Sequence, residues 1–344
     1  MLPPLPAITG IPLDELTALL SPLPRFRAVQ IFKWAASAAS FDEMNNVPLQ
    51  LRKELVERYT MRPHAAAEKH AANDGTVKLT LQFADGAHIE AVLLADNSGR
   101  HTACLSTQAG CPAGCVFCKT GEGFLRNLDS AEIVEQFLQL RAIADISNIV
   151  IMGMGEPLLN LTELRRALAV ICCGEGLNFS RRRITVSTCG IADGITDIAD
   201  NGPAVRLALS LTTADENLRR RLMPITASQP LAVVKEALRH FQDSGGGRIT
   251  LEAVLLGGIN TRAEDAASIA RFARGLDTAV NLIPWNPVKG MQFDGKPLRQ
   301  PSPAEIESFK QQLTATGLTV TRRYRRGRGV MGACGQLGNR QYEK

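Results

Sequence analysis

Aromatic residues make up only 5% of the 344-residue chain, with Trp 2 and Tyr 3 against Phe 12. A surface of stacked aromatic platforms is therefore not expected, and Trp34 and Trp285 are read as packing residues. Histidine is as scarce: the five stand at 64, 70, 88, 101 and 240 without ligand spacing, which argues against a histidine-built metal site. No window approaches the roughly 20 apolar residues of a membrane helix. The opening MLPPLPAITG lacks a basic segment followed by an apolar one, so no secretory signal is expected and the predicted location is the cytoplasm, away from membranes. A hydrophobic share of 45% and a charged share of 21%, with Gly 29 and Pro 18, exclude a disordered or collagen-like chain. At roughly 150 residues per domain, the length suits two domains or one barrel with an appendage.

What the chain does hold is cysteine, at 104, 111, 115, 118, 172, 173, 189 and 334. In a reducing compartment these eight thiols are not a disulfide scaffold, so the group at 104–118 points to metal binding or chemistry. The formal net charge is +5, and Arg322, Arg323, Arg325, Arg326 and Arg328 concentrate positive charge near the C-terminal end. Arg181–Arg183 and Arg219–Arg221 are further runs. A phosphate-rich partner explains such runs; a solvated or ion-paired face is the ordinary alternative.

Helical spacing appears at Leu13 to Leu20, Ala28 to Ala36 and Pro48 to Tyr59, predicting a small helical unit over 1–70. Alternation of Val77, Leu79, Leu81 and Ile89, Ala91, Leu93 about Asp85-Gly86 predicts a β-ribbon linking it, over 71–98, to a core at 99–344. In that core, strands are predicted at Ala103 to Thr107, Asn148 to Met152, Ile184 to Ser187, Arg206 to Leu211, Thr250 to Leu256 and Val280 to Ile283. Helices alternate with them, the first begun by Asp129 with Glu132 as a capping box. Six βα units with right-handed crossovers make an α/β parallel sheet or open barrel, whose chemistry belongs at the C-terminal strand ends.

Cys111, Cys115 and Cys118 follow the first of these strands on a loop marked by Pro112 and Gly114. Three thiolates leave one iron of a [4Fe-4S] cluster open for a ligand. Zinc with a distant fourth ligand, Cys104 or Cys334, is the alternative by spacing alone. CxxxCxxC followed by Met152-Gly-Met-Gly-Glu-Pro157 resembles the radical S-adenosylmethionine (SAM) superfamily. Further stretches narrow the resemblance: Phe26 to Trp34, Gly121 to Leu128 (GEGFLRNL), Gly153 to Asn160 (GMGEPLLN), Asn281 to Pro287 (NLIPWNP) and Ala333 to Leu337 (ACGQL). Together they resemble the RlmN family of rRNA/tRNA adenine-C2 methyltransferases, and more distantly the C8 enzyme Cfr.

That resemblance implies a partial (β/α)6 radical SAM barrel and a cluster held by Cys111, Cys115 and Cys118. It implies SAM bound by Gly155, Glu156, Ser187, Ser210, Leu211, Thr212 and Asn286, and an electron donor such as flavodoxin or ferredoxin. It further implies methylation at C2 of adenosine 2503 in 23S rRNA, with tRNA adenosine 37 as a second target, by a monomer. Cys334 would carry the methyl group, Glu90 would take the C2 proton, and Cys104 would close a transient disulfide with Cys334 as product leaves. Two positions depart from the family pattern: Thr212 stands where His is usual, and the segment after Cys118 is one residue shorter. A C8 methyltransferase shares every one of these residues. A glycyl-radical activase would need neither Cys104 nor Cys334, and a non-catalytic iron-sulfur or zinc RNA-binding module is the rival outside enzymology. Cys172, Cys173 and Cys189 are read as structural.

Overall fold

The computed structural model describes residues 5–63, 65–96, 98–323 and 327–338. Three short helices come first: α1 (Leu13–Leu19), α2 (Arg25–Ala35) and α3 (Leu49–Arg58). They bury Leu16, Ile31, Phe32 and Leu55 in one core that continues into the rest of the molecule. Their seat is the start of α4 (Ser130–Arg141), where Ser130 Oγ donates to Gly10 O at 2.8 Å. A β-carbon at Gly10 would lie 2.3 Å from Ala131 N, so only glycine permits this approach. Arg62–Glu135 and Arg166–Glu15 ion pairs fasten the same face.

The strands β1 (Ala65–Ala71), β2 (Val77–Phe83) and β3 (His88–Ala95) form an antiparallel meander, and β4 (His101–Cys104) pairs antiparallel with β3, placing Val92 opposite Cys104. Beyond a short antiparallel ribbon, β5 (Gln108–Gly110) with β6 (Phe124–Asn127), come β7 (Ile146–Ile151), β8 (Ile184–Thr188), β9 (Arg206–Ser210), β10 (Ile249–Leu255) and β11 (Thr278–Pro284). A small hairpin, β12 (Gln292–Phe293) with β13 (Lys296–Pro297), precedes β14 (Thr319–Arg322). From β4 onward the main sheet runs β4-β7-β8-β9-β10-β11-β14, all parallel, and the meander extends it to ten strands at one edge. Alternate residues such as Ile149 and Ile151, Ile184 and Val186, Leu251 and Leu255 are buried, the period-2 signature of a sheet covered by helices.

The covering helices are α4, α5 (Leu161–Cys172), α6 (Ala192–Asn201), α8 (Leu231–Asp243), α9 (Ala263–Ala273) and α10 (Pro303–Ala315), with the short α7 (Glu216–Leu222) at the strand tops. The capping box at α4 forms as expected: Glu132 N–H donates to Asp129 Oδ1 at 2.8 Å and Asp129 N–H to Glu132 Oε2 at 2.9 Å. Sequence order and spatial order coincide across the parallel strands, as in an open barrel, so every strand top opens on the same face. Among the described residues no helix is long and apolar enough to cross a membrane.

Four features depart from the spans read from sequence. The first parallel strand stops at Cys104 rather than Thr107, because Leu105 to Thr107 turn away to accept the chain after β7. Ala65–Ala71 is a strand although AAAEKHA lacks β-formers; pairing with β2 supplies the order. A seventh parallel strand, β14, and the helix α7 were not anticipated, both being short and polar.

Candidate active site

The loop of Cys111, Cys115 and Cys118 leaves β5 at the strand tops and is held mainly by main-chain bonds. Cys111 N–H donates to Gly123 O at 2.7 Å, Val116 N–H to Leu222 O at 3.0 Å and Ile225 N–H to Ala113 O at 3.3 Å. The buried indole of Trp285 donates Nε1–H to Phe117 O at 2.9 Å, a packing role for that residue. The three cysteines are half-buried and line one cleft. Burial pushes the Cys111 thiol up to about 12 and raises those of Cys115 and Cys118, so each carries its proton at neutral pH unless a cation favours the thiolate. Among the described residues no three His, Cys, Asp or Glu side chains converge closely enough for one metal ion. Three thiols on one cleft fit a polynuclear cluster, in which each thiolate takes a different iron.

The other walls of the cleft come from the tops of β7 to β11. Gly155 has φ +109, and a β-carbon there would lie 2.7 Å from the Gln108 side chain, so only glycine permits the chain after β7 to pack this closely against β5. Glu156 is buried; its carboxylate accepts Cys189 N–H at 2.7 Å and Leu158 N–H at 3.1 Å, and burial raises its pKa. Ser187 Oγ and Ser210 Oγ meet at 3.2 Å across β8 and β9. Thr212, at φ +61, is held in the left-handed region by Thr212 N–H to Glu252 O and by Asn260 Nδ2 to Thr212 O, each at 3.0 Å. For a β-branched residue this conformation is strained. Thr212 Oγ1 and Asn286 Oδ1 both belong to cleft-lining residues and are buried without partners among the described residues. Such oxygens are free to bond a polar ligand. Gly155, Glu156, Ser187, Ser210, Thr212 and Asn286 thus gather where SAM was expected, whereas Leu211 is fully buried in the core and off the cleft wall.

Cys334 reaches the same cleft from the far end of the sequence. Its carbonyl accepts Asn286 Nδ2–H at 2.9 Å. The following residues are tied down in turn: Gly335 O accepts Lys119 N–H at 2.9 Å, Gln336 Nε2 donates to Pro287 O at 3.0 Å and Thr120 Oγ1 donates to Leu337 O at 2.8 Å. Gly338 N–H donates to Glu90 Oε2 at 2.7 Å. Glu90 is buried on β3, bonded through its other oxygen to Lys78 Nζ at 2.8 Å, and is not on the cleft wall. Cys104 is likewise buried behind the wall. Burial pushes Cys104 up to about 12; Cys334 is an exposed residue whose thiol is desolvated in the cleft, which pushes it to about 11, and Arg323 lies close enough to oppose both shifts. Both cysteines are free thiols.

Two cleft residues were missed. Glu252 on β10 is buried, takes Asn281 Nδ2–H at 2.8 Å, and its pKa is raised by burial. Its only sequence signal is a carboxylate inside an apolar strand, Thr250 to Leu256. Arg323, read from sequence as a phosphate contact, lies half-buried on the cleft wall with Nη1 3.8 Å from Met152 Sδ, while its neighbour Arg322 is exposed. Arg325, Arg326 and the side chain of Arg328 lie outside the described residues. Cys172 and Cys173 pack half-buried at the end of α5; Cys189 is buried but borders the cleft.

The Radical SAM superfamily model matches residues 105–273. Over 336 residues the chain is 47% identical to the probable dual-specificity RNA methyltransferase RlmN of Treponema denticola, covering 97% of this chain and 95% of that protein. It is 41% identical over 349 residues to the dual-specificity RNA methyltransferase RlmN of Anaeromyxobacter, covering 97% and 91%. Among solved structures, a radical SAM methyltransferase from Sphaerobacter thermophilus matches with a TM-score of 0.89 at 38% identity, covering 97% of this chain and 99% of that one.

Proposed function

The chain belongs to the RlmN family of radical SAM RNA methyltransferases, and from that premise we propose that it methylates C2 of an adenine in 23S rRNA, and in tRNA, through Cys334 as methyl carrier. The observation that carries this reading is the meeting of Cys334 with Cys111, Cys115 and Cys118 on one cleft, with Cys104 one residue layer behind it. The oxygens of Thr212 and Asn286 that lack partners among the described residues, on the cleft that Gly155 and Glu156 also line, support a SAM pocket there. When bound, the cluster with SAM supplies an organic radical able to take a hydrogen atom from an S-methyl group.

The chain's own residues do the rest. Cys334 sulfur accepts a methyl from SAM and gives up its proton, its carbonyl held by Asn286. After loss of one hydrogen, that carbon bonds to C2 of an adenine drawn out of its stack. C2 is electron-poor, so a carbon radical adds where a polar methyl transfer fails. Glu90 is assigned the C2 proton; because its carboxylate lies behind the wall under Gly338, this role requires the 334–338 segment to lift. The adduct also gives up its unpaired electron, to the oxidised form of the electron donor. The Cys104 thiolate then attacks Cys334 sulfur; the sulfur–carbon bond breaks with its electron pair staying on the methylene, which takes a proton to become the C2 methyl group, and a Cys104–Cys334 disulfide forms. Arg323, within electrostatic reach of both thiols, favours the thiolate form of each.

For the RNA, we assign the helical part up to residue 63 as an accessory clamp, the meander over 65–95 as its connection and the chain from 99 onward as the catalytic core; exposed Phe26, with Arg27 stacked 4.7 Å from its ring centre, suits base contact. A flavodoxin or ferredoxin is the proposed reductant. The deciding experiment is anaerobic incubation of the reconstituted protein with RNA and methyl-labelled SAM, followed by nucleoside mass spectrometry. 2-Methyladenosine is expected, 8-methyladenosine would transfer the chain to the Cfr reading, and neither product from cluster-loaded protein would overturn both.

A further inference from the structure

Arg219, on α7, is the largest fully buried side chain among the described residues, at 1% exposure. Its Nη2 donates to Cys189 O at 2.5 Å and its Nε to Leu211 O at 3.4 Å, while Nη1 is buried with no partner. Among the described residues no carboxylate forms an ion pair with it: Glu216, three residues earlier, gives its oxygen to Leu231 N–H at 2.6 Å, and Glu156 is taken by Cys189 N–H and Leu158 N–H. Glu216 acts on the guanidinium only through space, without a hydrogen bond, and a buried guanidinium with no bonded carboxylate is costly unless an anion compensates it.

The anion is found by following α7. Its last residue, Leu222, accepts Val116 N–H, and Ile225 just beyond donates to Ala113 O, so the helix bearing Arg219 is fastened directly to the loop of the three thiols. The guanidinium is within electrostatic reach of Cys115 and Cys189. Resting on the cluster assignment of Cys111, Cys115 and Cys118, we propose that Arg219 is the fixed counter-charge of the thiolate-bound cluster, favouring its assembly and its reduced state. Deprotonation of three thiols and addition of an electron both put negative charge beside a cation that already waits there. Arg220 and Arg221, exposed on the same run, have no such setting; Arg221 pairs instead with Asp294.

The test uses the full chain, wild type, Arg219→Gln and Arg219→Lys, reconstituted anaerobically with iron and sulfide. Iron per chain, melting temperature before and after reconstitution, and midpoint potential by spectroscopically monitored titration are read for each. Arg219→Gln is expected to make one-electron reduction about tenfold less favourable, about 59 mV lower, and to gain less melting temperature on reconstitution, or to fold yet take up little iron. Arg219→Lys is expected to keep the potential and the gain. An unchanged potential in Arg219→Gln, or equal losses of melting temperature with and without iron, would overturn the proposal. So would failure of Arg219→Gln to fold before iron is added, since the charge would then serve the protein alone. Wild-type protein that binds no iron would instead sink the cluster assignment itself.

Discussion

The loop of Cys111, Cys115 and Cys118 and the segment of Cys334 face one cleft, but they are anchored differently. The first is bonded by its own main chain to the 123, 222 and 225 backbones and stapled by a buried indole. The second is held chiefly by side chains of Thr120, Asn286, Gln336 and Glu90, with Gly335 O to Lys119 N–H the one main-chain bond among these contacts. Main-chain bonding fixes geometry regardless of side-chain rotamer. Side-chain bonds net only about 0.5–1.5 kcal/mol each and can be exchanged for others. One loop is thus built to stay, the other to sit and be reseated, which is what the proposed metal group and the proposed methyl-carrying thiol would respectively require.

Removing a thiol from each region breaks the comparison most sharply. Cys118→Ala is expected to lose the brown iron chromophore and all methyl transfer; Cys334→Ala is expected to keep the iron and lose methyl transfer just as completely. Equal iron loss in both would mean that the two regions are not separate. Weakening only the second anchor should be milder: Thr120→Val, which deletes the bond to Leu337 O, is expected to slow methyl transfer about tenfold at unchanged iron content, with stability lowered by about 1 kcal/mol. An unaltered rate would show that this bond does not position Cys334.

Protonation offers a finer test. The buried thiols of Cys104 and Cys111 rise to about 12 and Cys334 to about 11, from an ordinary 9.0. The stability of the iron-free protein that depends on keeping them neutral is full below pH 9 and is lost as pH climbs through 11 to 12. Over that climb iodoacetamide should label Cys334 before Cys111, roughly tenfold faster at a given pH, as read by peptide mass spectrometry. The smallest expected effect lies at the neighbouring arginines. Arg322→Ala should lower the log–log salt slope of RNA binding by about 1, whereas Arg323→Ala should leave the slope alone and slow the thiol chemistry.

Much of this was legible in the sequence where local chemistry and local spacing agree. CxxxCxxC is a loop in any fold, and Asp129 with Glu132 starts a helix without outside help. The apolar strand tops placed Ser187, Ser210 and Asn286 on one cleft before any coordinates did. What remained hidden depends on long-range packing. Nothing within Arg219-Arg220-Arg221 marks the first as buried and the last as exposed; α7 rotating onto the cysteine loop decides it. Arg322 and Arg323 divide in the same way: Arg322 ends β14 exposed, and Arg323, just beyond it, lies half-buried on the cleft wall. Leu211, counted with its neighbours as a SAM contact, lies just past β9 and is fully buried in the core.

The bond from Gly338 N–H to Glu90 also links two clocks. As long as the amide sits on the carboxylate, Cys334 is seated and Glu90 is shared between Lys78 and the tail. If the tail lifts, Glu90 is left to Lys78 alone. Seating of the sulfur carrier and availability of the carboxylate are therefore a single mechanical variable, an interlock in which neither can change state without reporting it to the other.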